Sequence, residues 1–251
     1  MHDNETSNIV INVPFLSPAE SSQAAKSGGC FPAAASVQIS SGAQIPISQL
    51  RVGDRVLALD TNTGKPVYSE VLLFLDRDPE RHRAFLRIRT ASGRQLALTP
   101  SHLVLVADST GMTRGVFASR VRPGDRLLVE DPKALSESPR LLPDEVVAVD
   151  GSSLEEGVYA PLTAAGTVMV DGVAASCYAA VNSQSLAHWS FAPLRIAANA
   201  RSAASRLWSL AWHVEPRTYS NSTVTSGVHW YAKFLYGVAI RVLPSSWMYS
   251  E

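Results

Sequence analysis

Leu50-Arg51-Val52-Gly53-Asp54-Arg55-Val56-Leu57 returns 71 residues later as Val121-Arg122-Pro123-Gly124-Asp125-Arg126-Leu127-Leu128. In each copy a Gly-Asp turn feeds an apolar run with strand character. Gly-Asp-Arg alone recurs easily by chance. With matching flanks the two stretches read as a duplicated β subdomain with pseudo-two-fold symmetry. Outward from them, from Cys30 to about Ala180, the signal stays β. Val37-Gln38-Ile39 and Leu86-Arg87-Ile88-Arg89 alternate, and apolar runs recur at Val71–Leu75, Leu103–Val106, Leu127–Val129, Val146–Val149 and Val168–Val170. Ser41-Gly42, Thr63-Gly64, Ser92-Gly93, Pro123-Gly124, Asp150-Gly151 and Asp171-Gly172 read as the turns between them. Short strands at this spacing predict a mostly β fold, barrel-like or sandwich.

The flanks differ in kind. Residues 1–29 form a short leader rich in Ser, Asn and Ala, with no core of its own and no signal-peptide pattern. From residue 181 to 251 the spacing turns helical. All five tryptophans lie there (Trp189, Trp208, Trp212, Trp230, Trp247), with six basic and only two acidic residues after Tyr178. Leu207, Leu210 and Ala211 share one helical face, with Trp208 and Trp212 one turn apart. Trp230, Phe234, Val238 and Val242 form a second helical stripe, and Ser220–Gly227 reads as the loop between. Basic, Trp-bearing helices suit a water–lipid boundary; packing on the β domain explains the same pattern equally well.

Composition narrows the function. The 251 residues are 46% apolar, and 22 basic side chains balance 22 acidic ones, so neither global disorder nor electrostatic capture of nucleic acid is expected. Two cysteines are too few for a disulfide scaffold or a Cys-based zinc site, and no metal or cofactor is expected. No run of about 18 apolar residues occurs to make a membrane-spanning helix.

Chemistry concentrates at Gly28-Gly29-Cys30-Phe31-Pro32. Two glycines leave room for close approach, and the Cys30 thiol follows a carbonyl it can attack through a five-membered ring. A lone cysteine is equally a small buried hydrophobe. In Leu98-Thr99-Pro100-Ser101-His102-Leu103, a hydroxyl and an imidazole three residues apart can converge on one amide, with His102 suited to deliver a proton; a histidine near a strand end is also commonly structural. Asp76, in Leu73-Phe74-Leu75-Asp76-Arg77-Asp78, ends an apolar strand, where desolvation would raise its pKa and make it a better base. It reads as well as a turn residue or partner of Arg77. Cys177, in Ala175-Ser176-Cys177-Tyr178, is either inert or near enough to Cys30 for thiol–disulfide exchange.

Together these motifs resemble the C-terminal autoprocessing domain of the hedgehog family. The collinear matches also include Tyr68-Ser69-Glu70, Phe74-Leu75-Asp76-Arg77, Tyr159-Ala160-Pro161-Leu162-Thr163, Ala175-Ser176-Cys177-Tyr178-Ala179 and His229-Trp230-Tyr231. Ala24-Ala25-Lys26-Ser27-Gly28-Gly29 is similar to the end of that family's signalling domain, the rest of which is absent from this chain. The resemblance implies a Hint (hedgehog/intein) fold over 30–180 and a helical sterol-recognition region over 181–251. It implies that Cys30 attacks the carbonyl of Gly29 to form a thioester, that Thr99 and His102 activate this amide, and that Asp76 is the base for the 3β-hydroxyl of cholesterol. Cys177 matches a second cysteine linked to redox control. Trp189, Trp208, Trp212 and Trp230 are candidate sterol contacts. Cholesterol enters as co-substrate. The resemblance also implies cleavage in cis within the monomer and points to a membrane surface as a further candidate partner. Processing is implied in the endoplasmic reticulum, with a secreted or membrane-associated product.

Amide resonance favours the peptide bond, so a thioester must be drained to accumulate product. Inteins finish by cyclising an Asn after a His, but the six histidines here precede Asp3, Arg83, Leu103, Trp189, Val214 and Trp230. An external acceptor is therefore expected. Water or thiol as acceptor, and an inactive Hint-like binding module, are the other readings; a conventional Cys-His protease fits less well.

Overall fold

The computed structural model describes residues 28–108, 112–134, 139–179, 191–193, 195–196 and 227–242. Eleven strands and one α-helix are described: β1 (Ser36–Gln38), β2 (Gln44–Pro46), β3 (Arg55–Asp60), β4 (Lys65–Thr90), β5 (Gln95–Leu98), β6 (His102–Ala107), β7 (Thr113–Phe117), β8 (Arg126–Glu130), β9 (Leu141–Thr163), β10 (Thr167–Val170), β11 (Val173–Ala179) and α1 (Trp230–Val242). Every strand pairing is antiparallel. One sheet runs β10-β11-β6-β8-β9-β4-β3, with β5 added to β4 and β7 to β6; β1 and β2 form a separate hairpin.

The repeated stretches adopt the same local structure, bond for bond. Each follows a single 3-10 turn, Ile47–Gln49 or Ala118–Arg120. The Arg51 N–H donates to the Asp54 carboxylate and the Arg122 N–H to that of Asp125, both at 2.8 Å. Gly53 and Gly124 then turn left-handed at φ 96° and 94°. Each Gly-Asp corner is pinned to a long strand. Gly53 N donates to Val71 O and Val71 N to Asp54 O; Gly124 N donates to Val146 O and Val146 N to Asp125 O. Leu50 and Val121 are fully buried at matching positions, each burial stabilising by about 1.5–3 kcal/mol.

Two features differ from the sequence reading. Val71–Leu75 and Leu86–Arg89 belong to one strand, the 26-residue β4. It pairs with the 23-residue β9 from Val71↔Thr163 to Thr90↔Val146, and register shifts bend the pair along its length. Each register shift inserts one or two residues without ending the ladder, so polar stretches inside β4 remain strand. Asp150-Gly151, expected as a turn, lies within β9, where Asp150 sits opposite Arg87 and ion-pairs with Arg89. The other five turn signals fall between or beside strands as expected.

The helix expected from the Trp230 spacing is α1. It packs on the β core through Tyr231, Ala232 and Leu235, whereas Trp230, Phe234 and Val238 are exposed. The Tyr231 side is packed on the β domain, as one of the two readings expected, and the tryptophan-bearing stripe is exposed. The first helical stretch, around Trp208 and Trp212, lies outside the described residues.

Nothing stands within 4 Å of a Cβ placed on Gly53 or Gly124, so substitution there is opposed by backbone conformation alone. Gly53→Ala and Gly124→Ala are each expected to cost about 1–3 kcal/mol, by similar amounts, in urea denaturation. A cost at one site and none at the other would contradict the equivalence.

Candidate active site

Cys30 and Phe31 are fully buried. Phe31 forms an isolated bridge to Tyr159 of β9, donating to its carbonyl at 2.9 Å and accepting from its N–H at 3.0 Å. On the other side, Thr99 clasps Cys30 twice. Its N–H donates to the Cys30 carbonyl, and its Oγ1 accepts the Cys30 N–H, both at 3.0 Å. Thr99 is available for this because it lies just past the end of β5, whose pairing with β4 stops at Leu98. The chain then turns, His102 N donating to Thr99 O at 3.0 Å. This turn brings the hydroxyl and the imidazole to the same peptide bond.

His102 is fully buried. Its Nε2 lies 2.7 Å from the carbonyl of Ser176 on β11. A carbonyl only accepts, so the ring proton sits on Nε2 and Nδ1 carries a lone pair. Nδ1 is buried without a hydrogen-bond partner. It lies against Gly29: a Cβ on that residue would stand 2.6 Å from Nδ1 and 2.4 Å from the Ala179 Cβ. Here the glycine is needed for close approach. Burial pushes the imidazole down to about 4, against the opposing pull of the Ser176 and Gly29 backbone groups. The sequence suggested a ready proton donor. With the ring proton on Nε2, the unprotonated Nδ1 stands beside Gly29, and it can deliver a proton there only after taking one.

Asp76 is placed differently from expectation. It does not close a strand; β4 continues to Thr90. The register shifts between Phe74 and Asp76, putting Asp76 opposite Ala160, and the extra residue re-aims its side chain inward. Oδ2 lies 3.9 Å from Cys30 Sγ, and Oδ1 is buried without a hydrogen bond. Burial raises its pKa, with Arg81 and Arg83 pulling the other way. Arg77 turns from it and lies over the rings of Phe74 and Tyr159. The Cys30 thiol is pushed above its ordinary range by burial first and then by the Asp76 carboxylate.

Cys177 belongs to a different neighbourhood. It packs in the main core beside Thr163, whose Oγ1 is 3.7 Å from its sulfur, and burial pushes its thiol up to about 11. Cys30 packs instead with Phe85, Ala97, Val158 and Ala160, and both cysteines are free thiols. The structure therefore brings Gly29, Cys30, Asp76, Thr99 and His102 together and leaves Cys177 apart from this cluster. Trp230 is 68% exposed on α1; Trp189, Trp208 and Trp212 lie outside the described residues.

Two residues at the site have no counterpart in the sequence reading. The Gly28 carbonyl accepts from Arg83 Nη1 at 3.2 Å, Thr99 Oγ1 at 3.3 Å and Ser101 Oγ at 3.4 Å. Arg83 sits in the charged run Asp76–Arg83, where no local pattern marks which cation turns inward. Ser101 lies inside the Thr99–His102 turn, and its position there was the available signal. The tail also reaches the site. Gly227 N donates to Arg77 O at 2.7 Å and His229 N to Leu75 O at 2.8 Å, so the approach to α1 is tied on both sides of Asp76.

A buried Gly-Cys bond gripped by a Thr-x-x-His turn, in a sheet built around two long bent strands, defines a class. The profile of the Hint module family matches residues 18–244, and the chain belongs to that family. Within it, the chain is similar to Protein hedgehog of Drosophila yakuba, 42% identical over 221 residues, and to that of Drosophila melanogaster, 43% identical over 221 residues. Those matches cover 87% of this chain and 46% and 45% of the relatives, so the chain spans about half their length. Similar solved structures are the gp41-1 intein, with TM-score 0.45 and 21% identity over 60% of this chain and 99% of the intein, and an intein from a hyperthermophile, with TM-score 0.48 and 17% identity over 59% and 99%.

The neutral His102 has a consequence for stability. Unfolded, it titrates near about 6.5; folded, it stays neutral to about 4. The unfolded chain therefore binds more protons between these values, and the stabilisation present above the upper value is lost as pH falls toward the lower. Asp76 acts with opposite sign, so the comparison must isolate the imidazole. Urea denaturation from neutral to acid pH should show wild type losing more stability than His102→Gln; parallel losses would contradict a neutral buried His102.

Proposed function

We propose that this chain cleaves its own Gly29–Cys30 bond through a thioester and transfers the preceding segment to the 3β-hydroxyl of cholesterol. The observation that carries the reading is the double clasp of Thr99 on Cys30, beside an imidazole with a free lone pair against Gly29. In the first step the thiol proton passes to His102 Nδ1 and sulfur attacks the Gly29 carbonyl. The Gly29–Cys30 C–N bond then breaks as the imidazolium returns the proton to the departing nitrogen. The products are a Gly29 thioester on Cys30 and a free α-amine. Thr99 holds the nitrogen in place, and positioning of this kind replaces activation entropy.

In the second step the Asp76 carboxylate accepts the sterol hydroxyl proton, oxygen attacks the thioester carbonyl, and the Cys30 sulfur leaves as thiolate and is then protonated. The nearness of Asp76 to the sulfur and its unpartnered buried oxygen support this role. The backbone bonds from Gly227 and His229 support a tail that delivers the acceptor to Asp76, and the exposed Trp230, Phe234 and Val238 offer an apolar surface to a sterol or the membrane holding it. All of these groups come from one chain, which suits cleavage in cis. Similarity to hedgehog proteins suggests the secretory pathway as the place of processing.

Mass spectrometry of the full chain with and without cholesterol tests this. Release of residues 1–29 carrying one esterified cholesterol, dependent on Cys30 and on sterol, is the expected outcome. Release of an unmodified fragment would remove the sterol assignment, and a chain left intact under excess thiol would indicate an inactive module. Asp76→Ala is expected to abolish sterol-driven cleavage while thiol-driven cleavage survives; equal loss of both would remove Asp76 from the acceptor step.

A further inference from the structure

Cys30 is an unpromising nucleophile at rest. Its sulfur is fully buried and 3.9 Å from a carboxylate oxygen, and both conditions oppose a negative charge on it. The reaction nevertheless places negative charge on that sulfur twice: as it attacks the Gly29 carbonyl, and again as it leaves the thioester. Something positive must meet it inside the fold.

The groups around the sulfur come from several elements. Val158 and Ala160 of β9 are apolar, and the Gly28 carbonyl, 3.9 Å from the sulfur, supplies no positive charge. Thr99 and His102, from the β5–β6 turn, are uncharged at neutral pH, His102 because burial holds it to about 4. β4 contributes Asp76, Arg81 and Arg83. Arg81 lies 3.6 Å from Asp78, which partly neutralises it. Arg83 reaches the sulfur itself: its Nη1 is 3.8 Å from Cys30 Sγ and 3.2 Å from the Gly28 carbonyl. One guanidinium edge therefore touches both the nucleophile and the residue before the one attacked. Glu155, opposite Arg83 on β9, turns to Arg87 at 2.6 Å.

We propose that Arg83 is a further catalytic residue, whose guanidinium stabilises the Cys30 sulfur as thiolate in both steps while fixing the Gly28 carbonyl so that the scissile peptide stays seated. The inference rests on the thioester reading above. Arg83 transfers no proton and forms no bond; it lowers the energy of charge on sulfur where water is excluded. A guanidinium suits the task because it stays protonated when buried and offers several donors from one planar group.

The test uses the full chain, with dithiothreitol as acceptor to isolate the first step, across neutral to mildly alkaline pH. Cys30→Ala and wild type run alongside Arg83→Gln and Arg83→Lys, and each variant's fold is checked by thermal melting. At neutral pH, Arg83→Gln should cleave about tenfold or more slowly than wild type. Arg83→Lys, which keeps a charge, should recover much of the rate. Cholesterol-driven cleavage should fall in parallel, because the same sulfur is the leaving group. A neutral-pH rate for Arg83→Gln within twofold of wild type would overturn the proposal. So would a deficit equal in the two variants, which is what a purely structural role produces. If wild type fails to cleave, or Cys30→Ala cleaves, the thioester reading itself falls; normal Cys30-dependent cleavage with an unaffected Arg83→Gln overturns only the role of Arg83.

Discussion

The pairing of β4 with β9 is the constraint from which the rest of the architecture follows. Strands of 26 and 23 residues cannot stay straight and still close around a core, so the pair bends at successive bulges. One bulge aims Asp76 inward. Farther along β9, Gly157 adopts φ 82° where a Cβ would meet Ala33 2.7 Å away, and the segment after Cys30 lies against the strand there. Phe31 and Ala33 donate to the carbonyls of Tyr159 and Glu156, which fixes the chain on the side following the Gly29–Cys30 bond. The repeated Gly-Asp corners tie to β4 at Val71 and to β9 at Val146, so both halves of the sheet are anchored to the same pair.

Burial governs the chemistry in that frame. It raises the Cys30 thiol and the Asp76 carboxyl and lowers His102, so each is pushed toward its neutral form. On the proposed mechanism this serves two ends: protons move over short paths between neighbours, and water is kept from a thioester that it would hydrolyse. The cost is a nucleophile reluctant to ionise, and a cation beside the sulfur offsets it. The tail joins the same system through backbone bonds rather than side chains. Because Gly227 and His229 bond to the carbonyls of Arg77 and Leu75, the position of α1 and the position of Asp76 depend on one another.

Much of this was legible in the residues because it is local. The Gly-Asp corners are written in the repeat, since the left-handed turn, the capping carboxylate and the buried flank all lie within eight residues. The Thr99–His102 turn is local too, closed by one backbone bond across Pro100 and Ser101. Asp150-Gly151 misled because its composition is that of a turn, yet pairing with β4 and the ion pair with Arg89 hold it extended. The Trp230 stripe was read correctly as one helical face; which face turns to the core depended on what Tyr231 and Leu235 found to pack against.

The sequence by itself determined the strand-rich class, the two equivalent corners, the α1 helix and which residue is the candidate nucleophile, because turn chemistry, periodicity and side-chain type act over a few residues. Only the tertiary structure decided that Asp76 lies within a strand and beside the sulfur, that His102 is buried with Nδ1 against Gly29, and that Arg83 rather than another cation of its run reaches Cys30. These outcomes depend on contacts between residues 46 to 74 positions apart, from Cys30–Asp76 to His102–Ser176. Such contacts are set by where bulges fall along paired strands and by how deeply each group is desolvated, and neither is recorded in the pattern of neighbouring residues.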